Sequence, residues 1–98
     1  MGFKDAKKQV ISCLRSGLIT HEVRDQIDSK NLFATGAMSA DQVEKIITRA
    51  RGDNYSSSPH HLMSQIEVHV IKTNYGGLDW YIKWYFLEPN SVFISMHN

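Results

Sequence analysis

Apolar and polar positions alternate through the last third of the chain. In the run Leu78 to Leu87, Leu78, Trp80, Ile82, Trp84 and Phe86 fall on one side, and Asp79, Tyr81, Lys83, Tyr85 and Leu87 on the other. A period of two with aromatic and β-branched residues predicts a strand. The pattern repeats in Val92 to His97, where Val92, Ile94 and Met96 oppose Phe93, Ser95 and His97. It is present again upstream, with Ile66, Val68 and Val70 against Glu67, His69 and Ile71. Each strand therefore offers one apolar face. Those faces align only if Trp84 lies opposite Ile94, which needs an odd-length loop around Pro89 and Asn90. A two- or four-residue loop would separate His97 from Tyr81 unless a bulge intervened.

The first half carries the other period. Phe3, Ala6, Val10, Ile11, Cys13 and Leu14 form a helical stripe that Gly17 ends. Lys4, Lys7, Lys8 and Arg15 lie off it and read as a solvated face. Thr20 is placed to cap a second helix with Glu22 in its first turn and Val23 and Ile27 on its apolar side. Ser39 and Gln42 form a capping-box pair, and Val43, Ile46, Ile47 and Ala50 continue as a stripe to Gly52. The expected fold is α+β: three amino-terminal helices on one face of a carboxy-terminal antiparallel sheet of about three strands. One domain spans 1–98, with 1–52 helical, 53–64 a polar loop and 65–98 the sheet.

Composition narrows the function classes. A formal charge of +1 gives no global field for a polyanion, so any basic site must be local. The single cysteine, Cys13, forms no internal disulfide and suits a reducing cytoplasm. No apolar run approaches the ~20 residues of a membrane span, and no secretory signal is expected. There is no G-x-G-x-x-G, P-loop or H-E-x-x-H motif. His60 and His61 are adjacent rather than at helical metal-ligand spacing, so neither a metal nor another cofactor is expected.

What remains is the polar side of the sheet. If the strands are antiparallel neighbours, His69, Tyr81, Lys83, Tyr85, Ser95 and His97 project together. Such a surface suits single-stranded RNA: lysine for phosphate, tyrosines for bases, histidine for proton transfer. The catalytic candidates are His97, His61, Tyr81 and Lys83. A sheet whose second face is merely half-buried is the alternative.

The residues Gly17-Leu18-Ile19-Thr20, Val43 to Ile47, Asp53-Asn54-Tyr55-Ser56-Ser57, Gln65, Tyr81-Ile82-Lys83 and Val92 to Met96 occur in an order that resembles the motility quorum-sensing regulator (MqsR) toxins, mRNA interferases of the RelE-like fold group. The match runs nearly end to end. It implies a toxin-like, metal-independent endoribonuclease neutralised by an antitoxin protein. It adds Tyr55, Ser56 and Gln65 to His60, His69 and Tyr85 as RNA-binding candidates. Two functional lysines of that family are absent: Ser56 stands at one place and Met96-His97 at the other, which leaves His60, His61 or His97 to substitute. A non-catalytic binding or inhibitor protein on the same scaffold, carried by a mobile element, is the second expectation.

Overall fold

The computed structural model describes residues 1–23 and 26–98. Helix α1, Phe3–Ser16, buries Ala6, Val10, Cys13 and Leu14. Gly17 adopts φ 72° and closes it, with the Leu18 N–H donating to the Cys13 carbonyl at 3.0 Å. Helix α3, Ala40–Arg49, begins on the expected capping box: Gln42 N–H donates to Ser39 Oγ at 3.2 Å, and Ser39 N–H to Gln42 Oε1 at 2.8 Å. The basic residues of α1 are not all solvated. Lys7 donates to the Thr48 and Ala50 carbonyls at the carboxyl end of α3, and Arg15 makes a two-pronged pair with Glu44. They bind the two helices together.

The expectation of three helices on about three strands is overturned. Among the described residues between α1 and α3 there is a single helical turn, α2, Ile27–Lys30. The sheet has five strands: β1 Ile19–His21, β2 Tyr55–Pro59, β3 Glu67–Tyr75, β4 Leu78–Leu87 and β5 Asn90–His97, in the order β1-β5-β4-β3-β2. All neighbours are antiparallel except β1 and β5. The class remains α+β.

Both unexpected strands cover what would otherwise be bare ladders. Thr20, read as a helix cap, is the middle of β1, paired with Val92 of β5. Gly17 ends α1 just where the outer edge of β5 needs a hydrogen-bonding partner. Val23, expected on an apolar helix side, is 92% exposed. The part of that expected helix at Arg24 and Asp25 lies outside the described residues. The polar loop expected over 53–64 is instead a 3₁₀ turn, Gly52–Asn54, followed by β2 along β3. A serine-rich strand is hard to read from composition because an edge strand buries few side chains.

The faces differ as well. Beneath α1 and α3 lie Ile71, Ile82, Trp84, Phe93 and Met96. Trp84 is fully buried and pairs with Phe93, not Ile94. The loop after β4 is two residues, Glu88 and Pro89, and a bulge opposite Lys83 and Trp84 leaves Ile94 as the extra residue of β5. Beyond it Met96 pairs with Ile82 and His97 with Tyr81. On β3 it is His69, Ile71 and Thr73 that are buried with this side, whereas Val68 belongs to a second cluster with Tyr85, Val92 and Ile94. Met63 and Ile66, from the segment joining β2 to β3, pack on that second cluster.

Replacing Trp84 with alanine empties the centre of the larger core. It should cost about 3–5 kcal/mol and lower the urea midpoint steeply. A midpoint like that of the wild type would place Trp84 outside the core.

Candidate functional site

The sheet face turned away from the helices is closed over at one end. The chain leaving β1 and the chain leaving β2 start from opposite edges of the sheet and meet above it. There Glu22 and His60 face each other, Nε2 to Oε2 at 3.3 Å. Beneath and beside this clasp is a groove of about 710 Å³. Val68, Lys83 and Ile94 come from β3, β4 and β5, Ser58 and Pro59 from β2, and His60, His61, Leu62 and Met63 from the connecting segment. The bulge matters here, since Ile94 lines the groove while Phe93 and Met96 face the core.

His60 is only 3% exposed, yet its polar atoms are matched. The backbone N–H groups of Leu62 and Met63 donate to Nδ1 at 3.1 and 3.3 Å. That fixes the tautomer: the ring hydrogen sits on Nε2 and points at the Glu22 carboxylate. With both nitrogens engaged, His60 offers no lone pair to a metal ion. Its ring lies edge-on to Tyr85 at 5.1 Å and stacks on His61 at 4.8 Å. Tyr85 is buried, with the Glu22 carboxylate close enough to act on its hydroxyl. Burial first, then that carboxylate, raises the phenol pKa above its ordinary value. Glu22 thus accepts from His60, has Tyr85 beside it, and still lines the groove.

Lys83 is half-buried in the groove, and among the described residues its ammonium has no hydrogen bond or ion pair. An amino group desolvated on one side and not tied up in an ion pair is free to meet an incoming anion, although the Glu22 carboxylate shares its groove. His61 is exposed at the mouth, and the rim carries Val23 and Leu62, the latter 80% exposed. Two residues from Lys83 along β4 and on the same face, Tyr81 stacks on His97 at 5.2 Å with an interplanar angle of 21°. Lys72 Nζ lies 5.8 Å from the centre of the Tyr81 ring.

The sequence-derived candidates therefore divide. Lys83, His60 and His61 line the groove, Tyr85 packs against His60 behind it, and Tyr81 and His97 lie beyond it on the same face. Ser56 pairs with Val70 on the exposed edge strand. Gln65 lines a separate, smaller depression with Ser57, Ser58 and Glu67. His69 and Tyr55 do not project with the rest. His69 is on the helix side, stacked on Trp84 at 5.4 Å, and Tyr55 O–H meets its Nδ1 at 2.7 Å. The expectation that His69 shares a surface with Tyr81 and Lys83 fails because β3 presents His69, Ile71 and Thr73 to the core. Glu22 was missed, because Thr20 read as a cap. The strand-like alternation in Leu18 to Val23, with Ile19 and His21 on one side and Thr20 and Glu22 on the other, is the signal that marks it.

No protein-family model matches this chain, and no curated protein does.

The buried histidines couple stability to pH. His69 has its pKa lowered by burial, partly offset by the Glu67 carboxylate, and His21 has its pKa lowered by burial against Phe33 and Phe93. A histidine whose folded-state pKa lies below its unfolded value binds protons more readily unfolded. Its contribution is present above the unfolded value near ~6.5 and is lost as pH falls through and below it. Thermal midpoints should therefore drop from pH 7.5 toward pH 5, and His69→Phe should flatten that dependence. A midpoint that rose on acidification over this range would contradict the assignment.

Proposed function

We propose that the groove binds single-stranded RNA and cleaves its phosphodiester backbone without a metal ion, as a toxin-like mRNA interferase of the cytoplasm. The observation that carries this reading is Lys83: an ammonium without a partner among the described residues, in the same groove as a carboxylate and two imidazoles. Metal-free RNA cleavage requires a group to take the 2′-hydroxyl proton, a cation for the charge that develops on phosphorus, and an acid for the leaving 5′-oxygen. Each is represented within one groove.

The rest of the face suits the same polymer. With a strand rise of ~3.3 Å, the Tyr81–His97 stack lies roughly 7 Å along β4 from Lys83. A nucleotide seated with its phosphate at Lys83 can then place a neighbouring base on that aromatic pair. Bound along β4, the strand would meet Lys72 next, a second phosphate contact. The resemblance to the MqsR toxins points the same way, although Ser56 and Met96-His97 stand where those toxins carry lysines. An antitoxin protein would act by covering the groove, and the exposed Val23 and Leu62 at its rim give such a cover apolar footing.

The test is direct. Purified protein is incubated with mixed-sequence RNA in chelator, alone and in a translating extract, beside Lys83→Ala. Cleavage by the wild type, reduced about 10²–10³-fold in the variant, is the expected result. Intact RNA under both conditions would overturn the nuclease reading. RNA or protein capture without cleavage would mean that the scaffold serves as a binding surface.

A further inference from the structure

We infer that Glu22 is the general base of the cleavage step and that His60 and Tyr85 are positioning residues that hold its carboxylate; the inference rests on the ribonuclease reading of the groove. The assignment follows from which acceptors remain free. His60 Nδ1 is occupied by two backbone N–H groups, and its Nε2 carries the hydrogen given to Glu22. Tyr85 does not line the groove, and burial together with the same carboxylate keeps its phenol protonated. His97 is stacked with Tyr81 and does not line the groove. Lys83 has only donors. Among the described residues, two groove side chains are left that can accept a proton, Glu22 and His61.

Of these two, Glu22 is the oriented one. A carboxylate has about four lone-pair sites, so the hydrogen bond from His60 leaves room for a further partner. Its side chain is 27% accessible and His60's only 2%, so Glu22 is the member of the pair that substrate can touch. The geometry is that of a base held by its neighbours, the tautomer of His60 being set in turn by the backbone. Among the described residues, the charged and titratable groups near Glu22 are His60 and His61 from the segment after β2, and Lys83 and Tyr85 from β4.

The step balances as follows. Glu22 takes the proton of the 2′-hydroxyl as its oxygen bonds to phosphorus. The bond from phosphorus to the 5′-oxygen breaks, and that oxygen takes a proton from His61. Lys83 neutralises the charge on the phosphoryl oxygens meanwhile. The products are a 2′,3′-cyclic phosphate and a 5′-hydroxyl, and water returns the proton from Glu22 to His61.

Steady-state cleavage of a short RNA by wild type, Glu22→Gln, Glu22→Asp, Tyr85→Phe and Lys83→Ala tests this, with each variant's fold checked by its urea midpoint. Glu22→Gln should lower kcat by roughly 10²–10⁴-fold, leave KM little changed and abolish the fall in rate toward acid pH. Glu22→Asp should restore part of kcat. Tyr85→Phe should lower kcat on the order of tenfold while keeping KM and the shape of the pH profile, as expected when a hydroxyl beside a charged group is lost. A 2′-deoxy analogue, which cannot be cut, should bind Glu22→Gln at least as tightly as the wild type, because an anion has been removed. If Lys83→Ala is impaired but a folded Glu22→Gln cuts at the wild-type rate, the ribonuclease reading stands and the role of Glu22 is wrong. If the wild type does not cut RNA at all, both fall together. If Glu22→Gln does not fold, Glu22→Asp decides: a folded aspartate variant with an unaltered kcat and pH profile would overturn the assignment.

Discussion

One extra residue on β5 decides what each side of the sheet can be. The two-residue turn at Glu88 and Pro89 pairs Leu87 with Asn90, and strict alternation from there would set Met96 opposite Tyr81 and Ser95 opposite Ile82. An apolar side chain would then be turned to solvent and a hydroxyl into the core. The bulge at Ile94 shifts the register by one, so Met96 joins Ile82 under the helices and His97 joins Tyr81 on the outer face. The same bulge puts Ile94 on the outer face, where it lines the groove with Lys83. Core and site share this one irregularity.

The two faces are then held by different physics. On the helix side, stability comes from burial of Trp84, Phe93, Ile71, Ile82 and Met96 against α1 and α3, with the helices tied by Lys7 and Arg15. On the outer side the apolar cluster is small, and a polar clasp does the closing. Glu22 and His60 start from opposite edges, so their contact fixes both edge segments relative to the strands between them. A buried imidazole is tolerated there because every polar atom of its ring is matched. Lys83 is the contrast, left without a partner among the described residues in an otherwise satisfied setting.

Local signals were readable and long-range ones were not. The α1 stripe ended by Gly17, the Ser39–Gln42 capping box and the alternation of Leu78 to Leu87 depend on residues within a few positions, and all three are present in the fold. The strands β1 and β2 depend on distant partners, β5 and β3, and their own sequences, Ile19-Thr20-His21 and Tyr55-Ser56-Ser57-Ser58-Pro59, are short or polar. The face of β3 went wrong for a related reason. Ile66, Val68 and Val70 form as good an apolar set as Ile71, Thr73 and Tyr75, and only pairing with β4 chooses between them. At the site, Lys83, His60, His61 and Tyr85 were legible as residue types suited to RNA. Glu22 was not, since its role exists only once two edges of the sheet meet.

The central claim is that the clasped groove on the outer face is where a nucleic-acid strand sits. Amide-resolved NMR titration with a short 2′-deoxy oligonucleotide, which binds without being cut, examines it most directly. Shifts should concentrate at Glu22, at residues 60–63 and at Tyr81, Lys83 and Tyr85. Tyr55, His69 and the two helices should stay unmoved. Shifts confined to α1 and α3, or none at saturating oligonucleotide, would contradict the account.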